Sequence, residues 1–509
     1  MSKRHSFWAL AVILLALGAA SGQDDAGQPA GAVPPASPQQ PVPAYGQENP
    51  VPSISENPPI SGLDLPNLEP HGAPLSYLQP GAHLSEAGSS NLQNSLGGSG
   101  WGSITNALGS LELQRLWSHY DLALDYLGGV GYYSVNGIGF KQIEELGMNQ
   151  KITWKRGELG LRDAFSYQPE GTFGGAYGSV ATLGAGLSGQ STFFNGMGLG
   201  ALGQVPRIMN LALGDVVENL TPKSSVTATG GYGFVHFLGN EPVTGNSFIG
   251  NTQITGQVGY DRLLGLHDQG ALVYGYQGYT FSTGVAFHSN VIQLMWGHRI
   301  SGRMDFLIGA GPQFTQLYNI PTYVANPTMA NTIPPCALEP TEQNPFGETC
   351  PENDLRISAA GRGSLRYRFP NVSLDFRYEH FISSGSGFFA GAESDIATLS
   401  ASRPLNRIWS ITSDIGYSHN DRVTPITCSS TAPNCPGVSA NTYQYGFVGL
   451  SVHRMFGRDF HAFASYQFND LAFDNSYCVS ATPGPCSRIG TRNVGTIGLD
   501  WKPRPMRFD

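Results

Sequence analysis

The sequence predicts an all-β fold: a transmembrane, antiparallel, up-and-down β-barrel of about sixteen strands, within a range of fourteen to eighteen. Charged residues make up 13% of the 509 residues, about half the roughly 25% of soluble globular domains. From about residue 115 to 502, hydrophobicity alternates with a period of two, as in strands with two different faces. Beyond the N-terminus, no stretch reaches the roughly 20 apolar residues of a membrane helix, so a closed sheet remains the way to cross lipid.

The first 22 residues have the pattern of a signal peptide. A short basic segment, Lys3 to His5, precedes an apolar core from Phe7 to Ala20, and small residues then suit cleavage before Gln23. The apolar core is too short to span a bilayer comfortably, and an uncleaved anchor is the alternative. We therefore expect the chain to be exported.

Residues 23–110 are predicted to form a disordered periplasmic leader. The segment is rich in Pro, Gly, Ser and Gln, and it has no apolar periodicity up to about Ser99. Such a composition cannot bury enough apolar surface to offset the entropy lost when a chain becomes ordered. A flexible leader is the main interpretation, and tethering to the cell wall or to a partner protein is the alternative.

Residues 111–503 are predicted to form the barrel, because successive side chains there alternate between apolar and polar. In one segment Leu122, Leu124 and Tyr126 share a face, while Asp121 and Asp125 share the other. The same split recurs in segments 304–318, 460–469 and 496–502. One face suits lipid and the other suits water, although a soluble β-sandwich alternates in the same way.

The connections favour the barrel, because short turns alternate with longer polar loops along the chain. Seven short turns contain Gly, Pro or Asn and lie at 155–158, 221–224, 264–267, 300–302, 369–371, 404–406 and 456–458. If both termini lie on the side of these turns, seven turns imply sixteen strands. The predicted strand centres are residues 123, 147, 164, 214, 231, 254, 276, 292, 310, 361, 377, 397, 413, 447, 465 and 496. Segment 209–220 could instead be a short helix, which would leave fourteen strands.

These features resemble the bacterial outer-membrane β-barrel class over residues 111–503, without pointing to a specific family. The resemblance implies a location in the outer membrane of a Gram-negative bacterium, contact with outer-membrane lipid, and insertion by the barrel-assembly machinery. In this class the last strand typically carries alternating apolar residues and ends in an aromatic. Here Ile497, Leu499 and Trp501 form that pattern, and a short periplasmic tail, 504–509, follows.

Six cysteines occur as three pairs, and each pair lies within one polar loop. An oxidising compartment favours disulfide formation. Six cysteines allow fifteen connectivities, of which we predict the three local bridges: Cys336 to Cys350, Cys428 to Cys435, and Cys478 to Cys486. The three loops are expected on the external side of the membrane. Because no histidine lies within these loops, no metal site is predicted.

A group of charged side chains is predicted to line the lumen and to tune the passage of solutes. Alternation places six of them on one face of two neighbouring strands: Arg362, Arg366 and Arg368, followed by Asp375, Arg377 and Glu379. Opposed charges in a water-filled lumen would create a transverse field that orients polar solutes. A structural ion-pair ladder that keeps the wall rigid is the alternative.

The segment 168–207 is long for a hairpin loop, and it carries the apolar residues Phe173, Phe193, Phe194 and Met197. Loops of this length are often functional or disordered. The apolar content predicts that the segment folds into the lumen as a constriction. The alternative is an external Gly-rich lid, or a lid that packs on neighbouring subunits of an oligomer.

Composition and motifs exclude several functions. A net charge of −9 provides no basic surface for nucleic acid. Because the sequence lacks the common motifs of nucleophilic, zinc and phosphate-binding sites, we expect neither an enzyme nor a cofactor, with a hydrolase at the barrel rim as the alternative. The sequence thus predicts a porin-like channel for passive diffusion of small polar solutes. An uptake channel for hydrophobic compounds, or a structural or adhesive barrel with a blocked lumen, is the alternative.

Overall fold

The computed structural model describes residues 76–92, 96–98, 100–134, 139–168, 206–238, 248–301, 303–322, 350–368, 372–383, 385, 387–406, 408–424, 440–475 and 487–508. Every regular element within these ranges is a β-strand. No helix in the described part of the chain has the length and apolar character needed to cross a bilayer.

Eighteen of the described strands form one closed sheet. Their bounds are β1 Tyr77–Ser89, β2 Gly102–Leu116, β3 Tyr120–Tyr133, β4 Gly139–Trp154, β5 Gly157–Gln168, β6 Arg207–Thr221, β7 Ser224–Phe237, β8 Asn251–Leu263, β9 Asp268–Phe281, β10 Ala286–Ser301, β11 Met304–Thr322, β12 Cys350–Arg368, β13 Ser373–Ser383, β14 Ala392–Pro404, β15 Trp409–Arg422, β16 Thr442–Phe456, β17 Phe460–Phe473 and β18 Ile489–Trp501. Each strand pairs antiparallel with its neighbours in the chain, and β1 also pairs antiparallel with β18. The predicted antiparallel, up-and-down barrel is confirmed.

The predicted count of sixteen strands is wrong, because two further strands precede them. β1 and β2 lie largely within the range 23–110, so the described barrel begins at Tyr77 and not at residue 111. Outward positions of β1 carry small residues such as Ala82 and Gly88, which weaken the apolar alternation. The other sixteen strands contain the sixteen predicted centres, and β6 shows that segment 209–220 is strand. The signal peptide and leader residues 23–75 lie outside the described residues.

The two ends of the barrel differ in their connections. At one end, here called the short-turn end, eight connections of two to four residues join β2 to β3 and each later even-numbered strand to its successor. The other end, here called the long-loop end, carries connections of up to 38 residues, between β5 and β6. Both ends of the barrel chain, at Tyr77 and Trp501, lie at the short-turn end. In outer-membrane barrels this end faces the periplasm.

Strand β8 shows how the two faces of the wall differ. Asn251, Gln253, Thr255 and Gln257 are buried, whereas the alternate residues Ile254, Val258 and Tyr260 are exposed. Because the barrel is closed, the buried set faces the lumen and the exposed set faces outward. Exposed aromatic residues lie at the short-turn end on the strands around the seam: Tyr120, Trp154, Phe456, Phe460 and Trp501. An apolar outer band with an aromatic girdle at its edge is what a lipid-spanning barrel requires.

Inward-facing polar side chains join the first and last strands at the seam. His83 Nδ1 is in hydrogen-bond contact with Asp500 Oδ1, and its Nε2 lies 3.2 Å from Ser85 Oγ. Phe463 stacks on the imidazole with ring centroids 5.6 Å apart. A two-residue strand, β19 Met506–Arg507, continues the pairing onto β1 beyond two prolines, 503 and 505, which cannot donate to the ladder. The predicted tail 504–509 therefore contributes to closure through β19.

We expect Val258→Arg to destabilise the barrel by about 2–4 kcal/mol, because it places a guanidinium against the middle of the hydrocarbon layer. Thr252→Arg, on the same face of β8 but near the long-loop end, is the matched control, with an expected loss of at most about 1 kcal/mol. Urea unfolding in phospholipid vesicles measures both values. Equal losses for the two variants would contradict the assignment of the outer face to lipid.

We expect His83→Leu to reduce the free energy of unfolding by about 2 kcal/mol, because Asp500 loses its imidazole partner in a buried site. The measurement is the urea concentration at which the heat-modifiable gel band disappears. His236→Leu, at an exposed outward position of β7, is the control and should leave that concentration unchanged. An unchanged midpoint for His83→Leu would show that the seam does not depend on this contact.

Candidate functional site in the barrel lumen

A short segment closes over the lumen at the long-loop end. This segment, here called the tip, joins β13 to β14 through residues 384–391, of which 385 and 387–391 are described. Phe388 and Phe389 have no exposed surface. The Phe388 ring lies 4.9 Å from Phe473 and 6.1 Å from Phe248, measured between ring centroids. The tip therefore packs into the barrel and does not extend into solvent.

The contacts of the tip reach opposite sides of the barrel. Phe473 ends β17, whereas Phe248 precedes β8, and nine strand positions separate these strands in either direction round the ring. Backbone hydrogen bonds secure the segment at both sides: the Ile249 amide donates to the Gly387 carbonyl (2.9 Å), and the Val423 amide donates to the Gly391 carbonyl (3.2 Å). The tip thus bridges the mouth of the lumen.

Glycine is required where the tip turns. Gly387 and Gly391 have φ angles of 84° and 93°, a region that other residues rarely adopt. A Cβ atom on Gly387 would lie 2.8 Å from the Phe237 ring, and one on Gly391 would lie 2.9 Å from the Phe287 ring. These glycines allow the backbone to pass close to aromatic side chains of the wall.

The wall is split beside the tip. β12 and β13 pair only from Gly361 opposite His380 to Arg368 opposite Ser373, although β12 continues eleven residues towards the long-loop end along β11. Above that point Ile382, on the outward side of β13, is fully buried in one cluster with Phe287 and Leu317 of the inner face. The upper part of β13 therefore lies inside the ring. An ion pair between Arg356 and Glu393 crosses the split.

Neutral polar side chains cover much of the inner face below the tip. Members of this set, here called the neutral belt, occur round the ring and are buried: Asn106, Gln253, Gln277, Gln313, Asn420 and Gln467. Two arginines, Arg207 and Arg492, also face inward near the long-loop end, where both are fully buried. Amide and hydroxyl groups both donate and accept hydrogen bonds, so this belt suits uncharged polar groups.

The predicted lumen charges lie nearer the short-turn end. Arg362, Arg366, Asp375, Arg377 and Glu379 face inward, and Arg368 lies on β12 with its side chain outside the described residues. Arg366 Nε lies 2.9 Å from Asp305 Oδ1 of β11. Arg377 Nε lies 2.7 Å from Asp375 Oδ1 on its own strand. These contacts run along the wall, as expected of an ion-pair ladder, and the field and ladder interpretations remain predictions.

An acidic group occupies the opposite wall. Glu112, Asp121 and Asp125 face inward on β2 and β3, and β3 stands nine strand positions from β12 in either direction round the ring. Lys502 Nζ lies 3.1 Å from Glu112 Oε2, and the Tyr77 hydroxyl donates to Glu112 Oε1 at 2.8 Å. An arginine-rich arc therefore faces an acidic arc at the same end of the lumen. The first consists of Arg362, Arg366 and Arg377 with Asp305, Asp375 and Glu379, and the second of Glu112, Asp121 and Asp125. Sequence reasoning could not pair these groups, because they lie more than 200 residues apart.

Several predicted residues cannot be placed. Phe173, Phe193, Phe194 and Met197 lie outside the described residues, and so do all the cysteines except Cys350, which begins β12. The constriction seen in the described chain is the tip, which sequence reasoning missed. Its signal is a pair of phenylalanines flanked by glycines in a short connection where polar residues are usual. Within the described ranges, no group of three or more His, Cys, Asp or Glu could hold a metal ion.

The chain matches no protein-family profile and no curated protein sequence. Solved structures give matches of low identity. The ferric-catecholate import receptor Fiu of Escherichia coli K12 is 8% identical, over 86% of this chain and 82% of that chain, with a TM-score of 0.44. OccK2 of Pseudomonas aeruginosa (8%, 84% and 98%, TM-score 0.37) and OccAB1 of Acinetobacter baumannii (9%, 85% and 97%, TM-score 0.37) also match. By its closure, apolar outer face and polar inner face, the chain is an outer-membrane β-barrel.

We expect the double variant Phe388→Ala, Phe389→Ala to open the mouth, because it removes the two rings that fill the bridge between β8 and β17. Liposomes that contain this variant should swell in a small neutral solute at least several-fold faster than liposomes with the unaltered protein. Phe376→Ala, which removes an exposed ring from the outer face of β13, is the matched control and should not change the rate. Equal rates for all three proteins would show that the tip does not limit passage.

Proposed function

We propose that this chain is an outer-membrane channel for small polar solutes whose mouth is closed by the tip. The observation that carries the proposal is the polar inner face of a closed eighteen-strand barrel. Barrels of 16 to 18 strands are wide enough to leave an aqueous channel. Since the outer face is apolar, the polar inner face has no role in contact with lipid, whereas it would favour water and polar solutes.

The tip makes the proposed channel a gated one. The Phe388 ring packs against Phe248 and Phe473 on opposite sides of the wall, and Phe389 packs against Tyr443. The carbonyls of Gly387 and Gly391 accept two backbone hydrogen bonds from the wall. Such contacts can separate without breaking the barrel, because β13 and β14 keep their own pairing up to Ser383 opposite Ala392. The same observation also favours a second candidate, a structural or adhesive barrel whose lumen stays blocked.

Two other functions receive less support. Uptake of hydrophobic compounds would call for a mainly apolar lining. The inner face below the tip has apolar clusters around Leu108 and Val273, but amide, hydroxyl and charged groups line it as well. Catalysis would call for an accessible nucleophile. Asp500, His83 and Ser85 contact one another in the same order as the acid, histidine and serine of a serine-hydrolase triad. However, His83 has no exposed surface and Ser85 is 6% exposed. We propose that these three residues stabilise the seam.

Planar lipid bilayers test the channel directly. We expect rare or small current steps from the unaltered protein and larger, longer steps from Phe388→Ala, Phe389→Ala, because the mouth then stays open. A complete absence of current from both proteins would sink the channel proposal and would favour the blocked barrel. A hydrophobic-uptake role would instead appear as transfer of an apolar dye without ionic current.

Arg366→Glu in the tip-opened protein should shift ion selectivity towards cations, because it reverses one charge in the arginine-rich arc and breaks the pair with Asp305. The ratio of cation to anion permeability, obtained from the reversal potential in a salt gradient, should rise several-fold. Arg262→Glu makes the same charge change at an exposed, outward position on β8 and is the control. An identical shift in both variants would mean that selectivity reflects net charge and not the lumen arc.

A further inference from the structure

In one row of inward side chains on β8, most of the polar atoms have no hydrogen-bond partner. Asn251, Gln253, Thr255 and Gln257 are successive inner-face residues, and each is more than nine-tenths buried. Atoms without a hydrogen-bond partner occur on every one of them: Asn251 Oδ1, both amide atoms of Gln253, Thr255 Oγ1 and Gln257 Nε2. We call these four residues the β8 row. A buried polar group without a partner costs free energy, so such a row needs an explanation.

The wall formed by β14 and β15 does not share this feature to the same degree, although Gln467 Oε1 and Asn469 Nδ2 on β17 also lack a partner. There the Ser394 hydroxyl donates to Asn420 Oδ1 (2.7 Å), and Asn420 Nδ2 donates to Ser418 Oγ (3.0 Å). The wall can therefore satisfy buried amides internally where the sequence provides hydroxyl neighbours. On the two sides of the β8 row, Gly233 lies opposite Gln253 and Gly275 lies opposite Gln257, and neither glycine supplies a side chain.

The chemistry of the row defines what could satisfy it. Its free atoms include donors and acceptors, and none of its four side chains carries a charge, which suits neutral groups that also donate and accept. Inward residues of one strand repeat about every 7 Å, so four of them extend over about 20 Å. On the neighbouring strand β9, Tyr279 lies opposite Gln253 and Phe281 lies opposite Asn251, and these rings give the row an apolar edge. A solute with several hydroxyl groups and an apolar ring face would match both features.

We propose that the β8 row is a binding subsite for neutral, hydroxyl-rich solutes of the saccharide class, a proposal that rests on the channel function proposed above. The row begins at Asn251, two residues after Ile249, and both Phe248 and Ile249 contact the tip. A solute that passed the open mouth would meet this row before it reached the charged arcs. Hydrogen bonds from the row would replace those that the solute loses to water.

Equilibrium dialysis of the purified full chain with labelled maltotriose tests the subsite without any need for ionic current. We expect saturable binding to the tip-opened protein, at least about tenfold weaker binding when Gln253→Leu and Gln257→Leu are added, and no measurable binding of citrate. Gln444→Leu, the same side-chain change at an exposed, outward position of β16, is the matched control and should bind maltotriose as before.

Three results would overturn the proposal. The first is that maltotriose does not bind. The second is that the β8 variant binds maltotriose as tightly as the control. The third is that the β8 variant differs only by a higher melting temperature, which would show that the row holds water alone. The channel proposal is tested separately by current measurements in planar bilayers. Current without saccharide binding would keep the channel and remove the subsite, whereas saccharide binding without current would keep the subsite and remove the channel.

Discussion

Everything in this structure depends on the pairing of β1 with β18. In lipid, each backbone N–H and C=O of a strand must find its partner in the protein, so an open sheet edge is not tolerated. Closure therefore needs both terminal strands in register, from Ala82 opposite Trp501 to Ser89 opposite Val494. The hydrogen-bonded contact between His83 and Asp500 and the two-residue strand β19 add inward and terminal support at the same seam. The ring, the two faces and the lumen all follow from this closure.

Side chains of the wall can fill the interior of a small barrel, but a closed ring of eighteen strands encloses more space than they can fill. In the described part of this chain, polar and aromatic side chains of the inner face change in character from one end to the other, with small apolar clusters around Leu108 and Val273 between them. Aromatic side chains meet at the long-loop end, neutral amides and hydroxyls cover much of the wall below, and opposed acidic and arginine-rich arcs stand near the short-turn end. A solute crossing in either direction would meet these environments in sequence.

The tip is possible because the wall is split between β12 and β13. Above Gly361 opposite His380 the two strands no longer pair, and the upper part of β13 lies inside the ring. The lost ladder contacts are offset by burial of aromatic rings and by the Arg356 to Glu393 ion pair across the split. The same device that closes the mouth therefore also explains why Ile382, an outward position by register, is buried.

Period-two alternation and turn residues were enough to determine strand positions and faces for most of the chain. They place all sixteen expected centres within strands, and they put Arg362, Arg366, Asp375, Arg377 and Glu379 on the inner face. These properties are local, because strand periodicity and turn chemistry act over a few residues. β1 and β2 were not predicted as strands, because small residues at their outward positions weaken the alternation of apolar and polar side chains.

The sequence by itself thus determined the class of fold, the inner and outer faces and the asymmetry of the two ends. Tertiary structure alone decided the remaining features: the closure through His83 and Asp500, the acidic arc opposite the arginines, the unpartnered β8 row, and the tip that bridges β8 and β17. Each of these depends on which strand stands opposite which, or on where one strand leaves its neighbour. Such relations join residues far apart in the chain, and closure of the ring sets them, whereas local periodicity does not.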